Sequence, residues 1–190
     1  MRIVAGRFKG QRLHASSGIE IRPTPDRVRE AIFNVILHGL KNWKGSLNHA
    51  FVIDVFAGTG SLGLETLSRG AAHATFIDNS SASLAITKKN AEQLDIWQNI
   101  TLLKLDATQL SPPPLSAKAP CSLAFLDAPY NMKLSEPALA DLECRGWLAN
   151  NALVVIEIAA KENLSFSSNF STLEERTYGA TKVVFLHYHA

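Results

Sequence analysis

The chain is 190 residues long, 46% hydrophobic and 19% charged, with a net charge of +2. That length suits one domain with a sizeable core, and the composition argues against disorder. Two cysteines, Cys121 and Cys144, have neither metal-site spacing nor the number a disulfide framework needs, no apolar run approaches membrane-spanning length, and the N-terminus lacks a signal-like apolar stretch; the expectation is a cytoplasmic protein with no metal and no membrane partner.

The small net charge hides an asymmetry. Residues 1–30 carry seven Lys or Arg against three Asp or Glu, whereas residues 31–190 carry twelve against fourteen. A basic arm on a slightly acidic body fits a polyanionic partner held by the arm; a solvated, solubilising terminus fits the charge equally well. The stretch RIVAGRFKGQRL alternates basic and apolar residues around two glycines and reads as a small hairpin or extended arm. The predicted organisation is a basic arm over residues 1–24 and one compact unit over residues 25–190.

A helix follows. Thr24 is a candidate cap, Pro25 suits the first helical position and Asp26 suits the positive end of the helix dipole. Val28, Ala31, Ile32, Val35, Ile36 and Leu40 recur at helical spacing and form one apolar face. Arg22, Arg27 and Arg29 lie at or before the helix start, facing ligand or solvent.

Strands and helices then alternate. Apolar runs at 51–56, 74–77, 100–105, 123–126 and 153–158 read as strands. Helices are predicted over 61–69, ended by Gly70, from a Ser80 cap to about Leu94, and within 137–147. A proline-rich loop precedes the fourth strand, and the tail reads as two strands around Gly179-Ala180. This is the pattern of an α/β fold, doubly wound around a mostly parallel sheet, with antiparallel strands added at one edge. Trp43, Trp97 and Trp147 read as packing residues.

The segment FVIDVFAGTGSLGLE links the first strand to the second helix, and Gly58, Gly60 and Gly63 fit G-x-G-x-x-G. Such glycines turn the chain tightly and bring amides close to a ligand, although a ligand-free tight turn uses them too. A dinucleotide needs one acid about 20 residues onward, a role open to Asp78. S-adenosylmethionine has no phosphate; it needs acids for its amino group and its ribose hydroxyls. Asp54, Asp78 and Asp106 stand at three adjacent strand ends, and Asp54 would repel a pyrophosphate. The pattern therefore favours S-adenosylmethionine over NAD. The expected cofactor-lining set is Asp54, Phe56, Ala57, Gly58, Thr59, Gly60, Asp78, Asn79, Asp106 and Ala107.

The fourth strand ends in Asp127-Ala128-Pro129-Tyr130. An exocyclic amine on a nucleobase is a poor nucleophile, because its lone pair is delocalised into the ring. The Asp127 carboxylate and the Ala128 carbonyl can accept its two N–H groups and aim the lone pair at a methyl donor. Pro129 stiffens the turn, and Tyr130 offers a stacking face worth about 1–3 kcal/mol. An acid capping the next turn beside an edge tyrosine is the competing structural reading.

The segments DVFAGTGSLGLE, SRGA and Asp-Ala-Pro-Tyr resemble class I methyltransferases that act on amino groups. IVAGRFKGQRL, RPTPDRVREAIFNVI and the tail YGATKVVFLHY narrow the resemblance to the RsmD-type guanine-N2 methyltransferases of bacterial 16S rRNA. The resemblance spans nearly the whole chain. It implies a seven-stranded Rossmann-like sheet and S-adenosylmethionine as methyl donor. It also implies a guanine of 16S rRNA as acceptor, within the small ribosomal subunit or its assembly intermediate. On it, Arg2, Arg7, Lys9, Arg12, Arg22, Arg27 and Arg29 contact phosphates and position the RNA. Ala128 departs from the more usual Pro but keeps the carbonyl, and Asp78 stands where Glu is commoner. The competing readings are an N6-adenine DNA methyltransferase and a non-catalytic RNA-binding assembly factor. Glu157, ending the fifth strand, is a candidate lining residue of the base pocket or a solvated strand-end acid.

Overall fold

The computed structural model describes residues 1–15, 25–130 and 132–190. Arg22 and Thr24 lie outside the described residues. Four α-helices are described: α1 (Asp26–Asn34), α2 (Ser61–Ser68), α3 (Ser81–Gln93) and α4 (Ser135–Cys144). The strands are β1 (Phe51–Val55), β2 (His73–Asp78), β3 (Ile100–Lys104), β4 (Cys121–Asp127), β5 (Leu148–Ala159), β6 (Phe170–Tyr178) and β7 (Thr181–Tyr188). They form one seven-stranded sheet in the order β3-β2-β1-β4-β5-β7-β6. The first five strands are parallel; β7 runs antiparallel to β5, and β6 antiparallel to β7.

The central strands are apolar on both sides because both sides are covered. On one face, Val52, Phe76, Phe125 and Val155 pack against Ile32 and Phe33 of α1, Leu64 and Leu67 of α2, and Leu84 and Ala91 of α3. On the other, Ile53, Val55, Leu126 and Ile156 pack against Leu139 and Leu142 of α4 and against Trp147. Of the three tryptophans, Trp43 and Trp147 are buried as expected. Trp97 is 56% exposed in the turn before β3 and is not a core residue.

Two elements differ from the sequence reading. Pro25 precedes the helix with an extended backbone (φ −56°, ψ 145°) and is not its first helical residue; α1 begins at Asp26. The helix also does not continue regularly to Leu40. It passes into a π-helical turn over Val35–Gly39, and Leu40 is extended. The fifth strand is longer than its apolar run. Leu148 pairs with Cys121 ahead of a register shift, with Asn151 in a left-handed conformation.

The N-terminal stretch is a hairpin closed by an antiparallel bridge between Arg2 and Arg12. Its apolar residues Ile3 and Leu13 are buried in the same core as α1, α2 and α3. The Val4 and Ala5 amides donate to the fully buried Glu65 carboxylate at 2.7 and 2.9 Å. Ser68 accepts from Phe8 N at 3.1 Å and donates to Ala5 O at 2.6 Å. The hairpin is thus stitched to α2 by side chains that follow the glycine turn.

Candidate active site

Chain connections diverge from β1 toward β2 and β3 on one side and toward β4 and β5 on the other. Open α/β sheets bind ligands at such a switch, beyond the C-terminal ends of the strands. Asp78 is the last residue of β2, Asp127 the last of β4, and Asp106 lies two residues past β3. Asp54 lies one residue from the end of β1. Glu157 of β5 is the Cα partner of Asp127. The fold therefore places all the predicted acids along one edge of the sheet.

The glycine turn has the geometry its sequence requires. Phe56, Gly58 and Gly60 adopt φ of 61°, 56° and 76°. Gly58 N–H donates to Asp78 Oδ2 at 2.8 Å, and Ser80 N–H donates to Asp78 Oδ1 at 2.8 Å. The Asp78 carboxylate so joins the first turn to the start of α3, and its remaining lone pairs can accept hydroxyls. On the other side, Thr87 Oγ1 donates to Gly58 O at 3.1 Å and Asn90 Nδ2 to Thr59 O at 3.0 Å. Gly63 is required by close packing. A Cβ there would lie 2.4 Å from Phe76 Cε1 and 3.2 Å from Asp54 Oδ2.

Asp54 is 2% exposed and accepts the Gly63 amide at 2.9 Å. Burial pushes its carboxyl up to about 8. The Gly63 hydrogen bond opposes that rise, while the negative charges of Asp127 and Asp78 add to it. An incoming cation favours the ionised form of such an acid and opposes that rise. Asp106, by contrast, is exposed, and hydrogen bonds from Thr108 N and Oγ1 hold its carboxyl below the usual range.

A cavity of about 210 Å³ opens beside this edge, lined by Phe56, Asp78, Asn79, Leu105, Asp106, Ala107, Thr108, Met132 and Leu134. Phe56, Asp78, Asn79, Asp106 and Ala107 belong to the expected cofactor set. Asp54 and the turn residues 57–60 of that set are outside this lining. Leu105, Thr108, Met132 and Leu134 were not foreseen: single apolar residues and a threonine in loops carry no periodic signal. The donor set suits S-adenosylmethionine. Apolar walls and carboxylates surround the cavity, with no lysine or arginine among its described lining residues, the opposite of a pyrophosphate site.

The Asp-Ala-Pro-Tyr segment leaves β4 at the same edge. Asp127 and Tyr130 are half-buried, Ala128 is buried and Pro129 is exposed. The Tyr130 hydroxyl shares a 2.7 Å hydrogen bond with Thr181 Oγ1, which fixes the ring against the start of β7. Glu157 is 3% exposed beside Asp127. β5 continues to Ala159, so Glu157 does not end the strand as expected, and it is buried and not solvated.

The predicted basic residues separate into two groups. Arg2, Arg7, Lys9, Arg12 and Arg27 are exposed. Arg2 and Arg12 also line a cleft of about 390 Å³ with Met1, Leu13 and Asp26. Arg2 pairs with Asp26 at 3.3 Å. Arg29 departs from the expectation of a phosphate contact. It is fully buried, its guanidinium donates to Arg2 O and, at 2.8 Å, to Asp26 Oδ1, and burial lowers its proton affinity. Its helical position, one turn into α1, turns it toward the hairpin and away from solvent. Among the described residues, no cluster of three His, Cys, Asp or Glu could hold a metal ion, and no helix is long and apolar enough to cross a membrane.

A family model described as Conserved hypothetical protein 95 matches residues 1–187. The ribosomal RNA small subunit methyltransferase D of Haemophilus influenzae is 32% identical over 186 residues, covering 94% of this chain and 89% of the relative. Its Escherichia coli K12 counterpart is 34% identical over 181 residues, covering 94% and 85%. Among solved structures, Escherichia coli yhhF matches at 30% identity with a TM-score of 0.83, covering 100% of this chain and 98% of that one. An RNA methyltransferase of Salinibacter ruber, solved with S-adenosyl-L-homocysteine, is 13% identical with a TM-score of 0.62, covering 88% and 94%, and bears on the fold alone. With the glycine turn, the strand-end acids and the sheet order in agreement, the chain belongs to the Conserved hypothetical protein 95 family, that of the RsmD methyltransferases, and has the class I methyltransferase fold.

Proposed function

We propose that this protein methylates ribosomal RNA in the cytoplasm, at the N2 amine of a guanine in 16S rRNA, in the small subunit or its assembly intermediate. The observation that carries the reading is that the paired strands β2, β1 and β4 bring Asp78, Asp54 and Asp127 to the same end of the sheet at the switch point; beyond the effect of burial, the charges of Asp127 and Asp78 add to the raised proton affinity of Asp54. Carboxylates gathered at one end of the sheet suit a positively charged donor beside an amine acceptor. The names of the relatives support ribosomal RNA as the substrate class.

S-adenosylmethionine, when bound, supplies an electrophilic methyl group on a sulfonium. Asp54, bonded to the Gly63 amide, favours that positive charge electrostatically when ionised. Asp78 accepts ribose hydroxyls with the lone pairs its backbone bonds leave free. Asp106 and Asn79 border the purine end, against Phe56 and Leu105. Asp127 and the Ala128 carbonyl accept the two N2 hydrogens and direct the lone pair outward. Tyr130, anchored by Thr181, stacks on the unpaired base. The amine becomes acidic as it is alkylated, so its proton can pass to water without a strong base. Arg2, Arg7, Lys9, Arg12 and Arg27 hold phosphates around the target.

One feature supports guanine as the base. Guanine offers adjacent donors, N1–H and N2–H, and Asp127 and Glu157, Cα partners on β4 and β5, are two carboxylates that can accept them. Adenine offers a donor next to an acceptor and matches one carboxylate only.

Mass spectrometry of nucleosides from ribosomal RNA tests the proposal, comparing cells that carry the gene, lack it, or carry Asp127→Ala. Loss of N2-methylguanosine at one position of 16S rRNA in the last two is expected. Unchanged N2-methylguanosine with loss of N6-methyladenine from DNA would replace this reading with the DNA-methylating one. No change in either would leave a non-catalytic assembly role.

A further inference from the structure

α3 turns one face toward the glycine turn, and two side chains on it, three residues apart, hold the turn's carbonyls. Thr87 reaches Gly58 O, and Asn90 reaches Thr59 O. Asn90 is fully buried and does more than this. Its Oδ1 accepts from His14 N at 2.7 Å, and its Nδ2 also donates to His14 O at 3.2 Å. One carboxamide therefore closes a two-bond ring with the backbone of the basic hairpin and grips the cofactor turn with the same nitrogen. Neighbouring contacts follow the same path. Gln93 Nε2 donates to Arg12 O at 2.7 Å, and Thr59 Oγ1 lies 3.8 Å from Met1 Sδ.

A carboxamide has two donor hydrogens and an acceptor oxygen, and here both hydrogens and the oxygen are used. No other side chain of this size can hold a peptide on both its edges and still donate to a third group. Aspartate accepts from His14 N but donates to neither carbonyl, and alanine makes none of the three bonds. Thr59 lies between Gly58 and Gly60, both in the left-handed region and both held by their own hydrogen bonds, so Asn90 restrains the one carbonyl between them, and a displaced Thr59 carbonyl re-aims the adjoining amides.

We propose that Asn90 is a positioning residue that couples RNA docking on the hairpin to cofactor binding at the glycine turn. The inference rests on the functional reading above, which assigns RNA to the hairpin and S-adenosylmethionine to the turn. RNA held by Arg12 immobilises the strand that contains His14. His14 fixes the Asn90 amide, and the fixed amide orders the turn before the cofactor arrives. A site ordered by one ligand costs the second less to order, and linkage makes the effect equal in both directions.

Calorimetric titration of S-adenosylhomocysteine, with and without saturating small ribosomal subunits, tests this on the full chain. For the wild type, the subunits are expected to tighten the cofactor about 5-fold or more, the lower end of usual coupling. In Asn90→Ala and Asn90→Asp that ratio falls toward one, while thermal melting shows the fold retained. Thr87→Val, which loosens the same turn without touching the hairpin, weakens the cofactor in both conditions and keeps the ratio. If alanine destabilises the chain, the aspartate variant, which retains the His14 N–H bond, provides the readout. A wild-type ratio of one, or an undiminished ratio in the Asn90 variants, overturns the inference. Wild-type protein that neither binds nor methylates the subunits overturns the functional reading, and the coupling with it. Binding and methylation without a ratio overturn the coupling alone.

Discussion

Asp54 in β1 and Gly63 in α2, nine residues apart, meet through a 2.9 Å hydrogen bond in which the helix amide donates to a nearly fully buried carboxylate. The bond draws the helix down onto the end of the strand and sets the span of the glycine turn between them. It needs a glycine, because Phe76 occupies the space where a Cβ would project.

Gly63→Ala is accordingly expected to cost about 1–3 kcal/mol in stability, the usual range for overpacking a tight core. Its effect on cofactor affinity should exceed that of a comparably destabilising substitution remote from the turn, because Phe76 and Asp54 must both move. Chemical denaturation and cofactor titration on the same sample check this. Equal cofactor affinity in variant and wild type would show that the turn tolerates the shift.

Asp54 also predicts a pH dependence. Its native carboxyl is raised to about 8, whereas an unfolded carboxyl titrates near about 4. Between those values the native state holds a proton that the unfolded chain has released, so this group's contribution to stability falls as pH rises through the window. Cofactor binding runs the other way, since a cation prefers the ionised acid. Affinity for S-adenosylmethionine should rise by up to about tenfold per unit as pH approaches 8 and then level off. Asp54→Asn keeps the acceptor for Gly63 N–H, flattens both profiles and weakens the cofactor. Melting curves and titrations from pH 6 to about pH 9 measure both.

Much of this is legible in the sequence alone. The strand runs were apolar because both faces of the sheet are covered, and the acids stood out because they interrupt those runs at their ends. Asp78 and Asp127 were found that way, and so was Glu157. Long-range closure was not legible. Nothing near Glu65 says that it accepts two amides of a hairpin some 60 residues away, and nothing near Asn90 says that it bridges the hairpin and the turn. Arg29 misled because helical spacing gives its angle around α1 but not what covers that side. The extra length of β5 was hidden by Asn150 and Asn151, polar residues accommodated at a register shift.

Glu65 gives the third prediction. It is fully buried, accepts Val4 N and Ala5 N, and pairs with Arg69 at 2.9 Å. Glu65→Ala leaves two hairpin amides and a nearly buried guanidinium without their acceptor, a loss of about 3–5 kcal/mol. Glu65→Gln keeps an acceptor but not the charge, and should lose less. Hydrogen exchange locates the damage: faster exchange of Val4 and Ala5 is expected in both variants, with β1 and β4 unaffected in the glutamine one.

Tyr130 separates ring from hydroxyl. Tyr130→Phe removes the bond to Thr181 and keeps the stacking face, so kcat/KM should fall by less than about tenfold, the equivalent of a net hydrogen bond near 1 kcal/mol. Tyr130→Ala removes the face as well and should lower kcat/KM for RNA by about 10- to 100-fold, with cofactor affinity unchanged. Steady-state assays varying each substrate in turn distinguish the two. If both variants lose activity equally, the ring is not a stacking platform and the Thr181 anchor is what matters.

Arg27 and Arg29 lie two residues apart on α1 and should behave oppositely. Arg27 is exposed, so Arg27→Ala is expected to leave stability within about 0.5 kcal/mol of wild type and to reduce the salt slope of RNA binding by about one. Arg29 is sealed between the hairpin carbonyl of Arg2 and Asp26, within electrostatic reach of Glu65 and Glu157. Arg29→Ala opens a cavity and strips two buried acids of a compensating charge, at a cost of about 3–5 kcal/mol. Arg29→Met fills the space, so part of that loss should return, while the missing charge still bears on Glu157 beside Asp127. Filter binding over a range of salt then decides the role. A slope unchanged in Arg29→Met makes this arginine an internal strut, whereas a slope reduced as in Arg27→Ala would mean that RNA draws it out of the core to a phosphate.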